Sequence, residues 1–246
     1  TNNSYLVFVD CSRLRRQGLH PKSMSDESTE QHWAHLWSTG DTNWHNPEGD
    51  PFLKKHQDVI LAGKEDAQVF VPLCGKAVEL KWFYEKGHRV VGVEVVEAPV
   101  REFFDENTLP CEESFCPVLN RKILQTPDKR LRIFICNIFD FNTSCAGPMD
   151  IVWDKGSLIV IGDADVPRYV SILKSLLAPD FSYGLWVIDY DAEGYAGTPR
   201  PMPEGRIRNL FGDGMKLTMV DKSEPKMGRF LPRLSTRCLW HLTGRP

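Results

Sequence analysis

A strand–turn–helix–strand pattern between residues 67 and 94 constrains the fold of this chain more than any other feature. Residues 68–72 are apolar and β-branched, which is typical of a short buried strand. Apolar residues then recur at helical spacing over residues 76–86, and a second β-branched run covers residues 88–93. Such a unit joins two parallel strands through a right-handed crossover helix. The segment therefore predicts an α/β fold built on a parallel sheet.

The turns of this unit indicate a nucleoside ligand. Gly75 closes the first turn, where a missing side chain lets a ligand approach the backbone. Glu94 follows 19 residues later, at the end of the second strand, where an acidic side chain binds ribose hydroxyls in nucleotide-binding α/β folds. A dinucleotide-binding loop has three glycines, and this turn has one. We therefore predict a nucleoside ligand without a pyrophosphate.

Composition excludes several other classes of protein. The 246 residues include 30 basic and 33 acidic side chains, a net charge of −3, with no long run of either sign. This balance argues against a nucleic-acid partner and against an anionic membrane surface. The apolar runs are too short to cross a bilayer. The seven cysteines are scattered without a C-x-x-C pair, so we expect no metal and reduced thiols in a cytoplasmic protein.

The remaining chain alternates strands with helices. Residues 1–27 are polar and patternless, and we expect a mobile N-terminal extension followed by one domain over residues 28–246. Further strands are predicted at 129–138, 149–154, 183–189, 216–220 and 236–242, with helices at 31–38, 51–62, 98–106, 166–177 and 204–211. Residues 129–134 also suit a hairpin with 121–125, within an otherwise irregular segment from 108 to 127. The fold class is an open, doubly wound, mostly parallel Rossmann-like sheet of about seven strands, with an antiparallel last strand.

Polar groups should meet at the carboxyl ends of the parallel strands. Besides Gly75 and Glu94, these ends carry Asn137 with Ile138, and Asp154 with Lys155. In an open α/β sheet, ligands bind outside these strand ends. The acids at strand ends also suit a purely structural role, because a turn follows and solvates them. The predicted crevice has Glu94 at a ribose and Asn137 and Ile138 beside an adenine.

Several of these motifs resemble one family. The segments PLCGKAVELKWF, GHRVVGVE, WDKGSL, the IFD after a strand and the early W-x-x-x-W helix are similar to those of the thiopurine S-methyltransferase family. These are class I methyltransferases that use S-adenosylmethionine. The family has PLCGK in place of a glycine-rich loop, and the similarity runs from about residue 30 to residue 242. The resemblance implies the seven-stranded class I fold and S-adenosylmethionine as the cofactor.

The resemblance also implies residue roles by position. Two tryptophans on one face of a short helix are typical of packing onto the core, which is the alternative for Trp33 and Trp37. The resemblance instead implies a helix that closes over the cofactor. The implied cofactor-binding residues are Trp33, Trp37, Leu73, Gly75, Glu94, Asn137, Ile138 and Lys155. Cys74 belongs to the same turn and is interpreted as a packed residue, since methyl transfer from a sulfonium needs no covalent enzyme intermediate.

The acceptor side departs from the family pattern. Trp44 stands where the family commonly has Phe against the acceptor ring, and His45 follows it. Lys155 replaces the arginine of the family motif WDRG. This replacement keeps the positive charge and loses the planar guanidinium that can donate two parallel hydrogen bonds. A loop at 191–203 suits a lid and also differs from the family sequence. Lys226 and Arg229 are the candidates for a second basic residue at the acceptor.

The implied reaction is transfer of a methyl group from S-adenosylmethionine to the sulfur of an aromatic or heterocyclic thiol, leaving S-adenosylhomocysteine. Lys155 would favour the anionic acceptor, and Asp154 would act as a weak base or orient its neighbour. The expected partner is a small-molecule thiol, and the expected state a monomer. The alternatives are another soft nucleophile (an aliphatic thiol, a selenol or a tellurium oxyanion), a nicotinamide-dependent oxidoreductase, and a non-catalytic protein that binds S-adenosylmethionine.

Overall fold

A ten-stranded sheet flanked by helices forms the body of the protein in a computed structural model that describes residues 27–193, 195, 197–227 and 234–245. In chain order the strands are β1 (Gln68–Val71), β2 (Arg89–Glu94), β3 (Glu112–Cys116), β4 (Arg121–Gln125), β5 (Leu131–Ile135), β6 (Met149–Lys155), β7 (Leu177–Asp189), β8 (Met215–Lys222), β9 (Lys226–Met227) and β10 (Leu234–Gly244). The α-helices are α1 (Glu27–Thr39), α2 (Pro51–Lys55), α3 (Gln57–Leu61), α4 (Glu79–Glu85), α5 (Glu97–Glu106), α6 (Thr143–Ala146), α7 (Val166–Leu176) and α8 (Glu204–Phe211), and a 3₁₀ turn covers Ile138–Asp140.

The sheet order is β3-β4-β5-β2-β1-β6-β7-β10-β8, with β9 paired to β10. Strands β5, β2, β1, β6 and β7 run parallel, whereas β10 is antiparallel to both of its long neighbours. The predicted Rossmann-like α/β class and its antiparallel last strand are therefore confirmed. All seven predicted strands are present, but the predicted count of about seven was too low, because β3, β4 and β9 bring the strands of the described residues to ten.

The additional strands lie at the edges of the sheet. Strand β4 pairs antiparallel with β5, while β5 pairs parallel with β2, so both interpretations of residues 129–134 are correct together. The core strand ends at Ile135 and not at residue 138, because the chain turns into the 3₁₀ segment. Strand β3, in the segment predicted to be irregular, pairs only with β4 among the described strands, and most of its side chains are exposed.

The strand–turn–helix–strand unit is built as its sequence pattern predicts. All four residues of β1 are buried, and β2 is buried from its second residue onward. Helix α4 packs against the sheet through Leu80 and Phe83, both of which have no exposed surface. It begins three residues later than predicted, because the preceding residues form a turn closed by the Ala77 N–H and the Cys74 carbonyl, 2.9 Å apart. That turn lies at the carboxyl end of β1.

Hydrogen bonds fix the carboxyl ends of the parallel strands to one another. The Cys136 N–H, just after β5, donates to the Glu94 carbonyl at 3.0 Å. The Ser157 hydroxyl, just after β6, donates to the Pro72 carbonyl at 2.9 Å and is buried. These links hold the loops after four neighbouring strands at one edge of the sheet, where the polar groups of the sequence were predicted to meet.

One predicted helix is divided in two, and the predicted N-terminal extension stays untested. The helix predicted over residues 51–62 is interrupted at His56, whose φ and ψ of −116° and 24° separate α2 from α3. Residues 1–26 of the predicted extension lie outside the described part of the chain, and the division at residue 27 stays a prediction. Among the described helices, none is both long and apolar enough to cross a bilayer.

Candidate functional site

The turn after β1 has an unusual backbone. Leu73 and Gly75 have φ angles of +43° and +48°, in the left-handed region that favours glycine. The Cys74 N–H between them donates to the Val93 carbonyl at 3.0 Å, which holds the turn against the end of β2. Cys74 is itself buried, and burial raises the pKa of its thiol well above the ordinary value. This supports the interpretation of Cys74 as a packed residue, since a neutral thiol is a poor nucleophile.

The carboxylate of Glu94 is fixed beside this turn. Its Oε2 atom accepts a hydrogen bond from the Gly75 N–H at 2.9 Å, and its Oε1 atom accepts one from the Val96 N–H at 3.0 Å. Burial raises the pKa of the Glu94 carboxyl, and these N–H donors oppose that shift. Each carboxylate oxygen can accept more than one hydrogen bond, so both keep acceptor capacity, although Glu94 is only 6 % exposed.

An aromatic cap, formed by Trp33, Trp37 and Trp44, covers the turn. The ring of Trp44 meets those of Trp33 and Trp37 edge to face, with centroids 5.6 Å and 5.8 Å apart. Trp37 packs directly on Gly75, since a Cβ atom built there would lie 2.7 Å from the Cζ2 atom of Trp37. The structure thus brings together five predicted residues: three tryptophans, the turn glycine and, through the turn, Glu94.

The adenine-side pair is placed next to the same strand ends. The Asn137 side chain caps the 3₁₀ turn by accepting a hydrogen bond from the Phe139 N–H at 3.0 Å. Asn137 is half-buried, while Ile138 is only 1 % exposed. The predicted contact of Ile138 with an adenine would therefore require movement of the groups that cover its side chain, whereas Asn137 retains accessible surface.

Asp154 points into the core. Its carboxylate has no exposed surface and accepts hydrogen bonds from the Tyr169 and Tyr183 hydroxyls, at 2.9 Å and 2.8 Å. Burial raises the pKa of Asp154, against the effect of these hydrogen bonds, and the pKa values of both tyrosines are raised as well. This geometry supports the orienting role predicted for Asp154 over the role of a base that reaches the acceptor.

Lys155 lies beside two buried acids that the sequence analysis did not single out. Its Nζ atom is 4.0 Å from Oε1 of Glu79, and the same oxygen accepts the Asp50 N–H at 2.9 Å. The Asp50 side chain caps α2 through the Phe52 N–H. Asp before Pro51 is a helix-start signal that predicts this cap. Glu79 stands one helical turn before Phe83 on the buried face of α4, which is an unusual position for an acid.

His45 adjoins the same charges. Burial and, after it, the nearby ammonium of Lys76 lower the pKa of His45, so its ring is neutral at physiological pH. Lys155 and Glu79 also act on this ring electrostatically. Lys76 is held by Glu102 and Glu106 of α5, at 2.8 Å and 2.7 Å. The predicted acceptor-side residues His45, Trp44 and Lys155 therefore belong to one part of the molecule.

The second basic residue at the acceptor is not assigned by the structure. Lys226 is exposed on the short strand β9, which pairs with the beginning of β10. Arg229 lies outside the described residues. The predicted lid instead carries a buried guanidinium, that of Arg200, which donates to the Ile161 carbonyl at 3.0 Å and lies 3.4 Å from Asp163. Arg200 attaches the loop to the segment that follows β6. The signal in sequence was a single arginine in a loop rich in glycine and proline.

Comparison with known proteins identifies the family. The model of the thiopurine S-methyltransferase family matches residues 28–229. Thiopurine S-methyltransferase of Equus caballus is 38 % identical over 195 residues, which are 79 % of this chain and 80 % of that protein. The enzyme of Mus spretus is 40 % identical over the same length, covering 79 % and 81 %.

Solved structures support the fold. The 1,6-didemethyltoxoflavin-N1-methyltransferase of Burkholderia thailandensis, solved with S-adenosylhomocysteine, has a TM-score of 0.60 at 18 % identity and 88 % coverage of each chain. The glycopeptide N-methyltransferase MtfA has a TM-score of 0.53 at 12 % identity, covering 81 % of this chain and 96 % of that one. At such identities the likeness concerns the fold alone. The matches to the family model and to the Equus caballus and Mus spretus enzymes show that the chain belongs to the thiopurine S-methyltransferase family.

Proposed function

We propose that this protein transfers a methyl group from S-adenosylmethionine to the sulfur of an aromatic or heterocyclic thiol. The observation that carries the proposal is the arrangement of Glu94, Gly75 and Trp37: a buried carboxylate fixed to a glycine turn, with an aromatic cap packed on that turn. Family membership supports the same cofactor and the same class of acceptor.

The residues present fit this cofactor. A carboxylate held at the end of β2 suits a ribose, because it offers acceptors to both hydroxyls. The turn at Gly75 has no side chain, and the indole of Trp37 packs directly on its backbone, so the turn and the indole together form one wall of the proposed site. A planar aromatic wall also suits a positively charged sulfonium, since the face of an indole attracts a cation.

The chemistry that the cofactor supplies is a methyl group bonded to a sulfonium sulfur. The protein's task is to align an acceptor sulfur with that methyl group and to exclude water. Trp44 gives the acceptor ring an apolar, half-buried wall, and His45 beside it is neutral. Heteroaromatic thiols ionise near neutral pH, so the acceptor arrives as a thiolate and no strong general base is required.

Lys155 is proposed to attract this thiolate. Its side chain is 20 % exposed, and its Nζ atom lies 4.0 Å from Oε1 of Glu79. This distance is too long for an N–H···O hydrogen bond. The ammonium can therefore still donate a hydrogen bond to a bound anion. Asp154, fixed by two tyrosines directly before it in β6, is proposed to orient this strand end and not to remove a proton.

An acceptor screen tests the proposal. Purified protein is incubated with S-adenosylmethionine carrying a labelled methyl group and with matched aromatic thiols, aliphatic thiols, a selenol and tellurite. We expect labelled product mainly from the aromatic and heterocyclic thiols. Preferential labelling of another soft nucleophile would keep the cofactor site and change the acceptor class. Binding of S-adenosylhomocysteine without turnover of any acceptor would instead favour a non-catalytic protein, and binding of NAD alone would favour an oxidoreductase.

A further inference from the structure

A single carboxylate oxygen links three parts of the acceptor side. The Oε1 atom of Glu79, at the beginning of α4, accepts the main-chain N–H of Asp50 at 2.9 Å. The same atom lies 4.0 Å from the ammonium of Lys155 at the end of β6. Asp50 ends the loop that carries Trp44 and His45 of the acceptor side. Glu79 therefore joins this loop, helix α4 and strand β6 at one point.

The charges in this cluster depend on one another. Glu79 and Asp50 are 2 % and 4 % exposed, so both carboxyl groups are almost completely removed from water. Burial raises the pKa of Asp50, and the positive charge of Lys155 opposes this shift. A buried charge without a partner is costly, so the two acids favour the ammonium of Lys155 beside them over its release into solvent.

We propose that Glu79 is a positioning residue that holds Lys155 at the acceptor. It attracts the ammonium without binding it in a direct hydrogen bond, which restricts the lysine while leaving its N–H groups available to a thiolate. Through the Asp50 N–H, the same carboxylate fixes the end of the loop that carries the acceptor wall. This inference rests on the proposed function of Lys155, and it adds a residue that does not itself touch the substrate.

A double-mutant cycle between Glu79→Gln and Lys155→Ala tests this inference. Glutamine keeps an oxygen that can accept the Asp50 N–H and removes the charge that attracts Lys155. With an aromatic thiol that the wild-type protein methylates, we expect Glu79→Gln to lower kcat/KM by about tenfold, because the buried charge that attracts Lys155 is lost. The dissociation constant of S-adenosylhomocysteine should change by less than about twofold. In the Lys155→Ala background, Glu79→Gln should have little further effect.

Glu85→Gln is the matched control. Glu85 is in the same helix and lines the same 250 Å³ cavity as Glu79 and Asp50, but its side chain is 62 % exposed and its ion-pair partner is Lys81. We expect this variant to keep wild-type kinetics. Melting temperatures of all variants separate a general loss of folding from a change at the acceptor.

The outcomes distinguish this inference from the proposed function. If the wild-type protein methylates no thiol, the proposed function fails, and the inference about Lys155 fails with it. If the wild-type protein is active but Glu79→Gln lowers kcat/KM by the same factor in the wild-type and in the Lys155→Ala background, Glu79 acts independently of the lysine and only the inference is overturned. An active Glu79→Gln variant with wild-type kcat/KM would overturn it as well.

Discussion

Replacing Gly75 by alanine separates the two reasons for a glycine in the turn after β1. The first reason is the backbone, because Gly75 has a φ of +48°, where a side chain costs about 1–2 kcal/mol. The second is the aromatic cap, because the new Cβ atom would lie 2.7 Å from Cζ2 and 3.2 Å from Cη2 of Trp37. Ordinary contacts between carbon atoms are about 3.5–4.0 Å, so the indole must retreat by about 1 Å.

The expected effect is a specific loss of cofactor binding. Alanine at position 75 should lower the free energy of unfolding by about 1–2 kcal/mol through the backbone alone. Displacing Trp37 removes part of the wall against which the cofactor packs, and we expect the affinity for S-adenosylhomocysteine to fall about tenfold, or about 1.4 kcal/mol. Calorimetric titration measures this affinity, and urea unfolding of the free protein measures the stability change.

Gly63→Ala is the control for the backbone effect. Gly63 has a φ of +70°, but a Cβ atom there would meet nothing within 4 Å. This variant should lose similar stability and keep the wild-type affinity for S-adenosylhomocysteine. Unchanged affinity in Gly75→Ala, or an equal loss in both variants, would refute the conclusion that contact between the aromatic cap and the turn shapes the cofactor site.

Three other substitutions test individual residues. Glu94→Ala should weaken binding of S-adenosylmethionine by about tenfold or more in calorimetry, because it removes the ribose acceptor; unchanged affinity would exclude that role. Lys155→Ala should slow methylation of an aromatic thiol more than it weakens cofactor binding, and rates and affinities both within about twofold of wild type would make the residue a bystander. Asp154→Asn tests the buried acid. Burial raises the pKa of Asp154 above the ordinary 3.8, so the folded state favours the protonated carboxyl group. The stability that this preference contributes is complete below pH 3.8 and is lost as the pH rises through the pKa of the folded state. The unfolding free energy of the variant minus that of the wild type should therefore increase with pH, and a constant difference from pH 4 to 8 would contradict this reasoning.

Local patterns were sufficient to predict the parallel core of the sheet. Strands β1 and β2 are buried along nearly their whole length, so each is an apolar run that can be recognised as a strand in the sequence. Strand β3 has no such signal, because EESFC is mostly exposed and its pairing is set by β4 alone among the described strands. The interruption at His56 has no glycine or proline to mark it, and the ring of this residue lies 2.6 Å from the Asp221 carboxylate of β8, a contact that is distant in sequence.

The cofactor side was more predictable than the acceptor side for a physical reason. Gly75 and Glu94 lie in one strand–turn–helix–strand unit, whose parallel strands end side by side, so the unit itself brings the two residues within hydrogen-bond distance. The cluster at Lys155 combines Asp50, Glu79 and the end of β6, which are distant in sequence. A charged residue is normally assigned to the surface, and only the tertiary structure reveals that these two acids are buried.

The position of the transferred methyl group tests the proposed S-methyl transfer most directly. The protein is incubated with ¹³C-methyl S-adenosylmethionine and a heteroaromatic thiol that also contains methylatable ring nitrogens, and the product is analysed by NMR and mass spectrometry. The proposed S-methyl transfer predicts a labelled S-methyl thioether, formed in equal amount with S-adenosylhomocysteine. A methyl group on ring nitrogen, or no product although calorimetry shows bound cofactor, would contradict it.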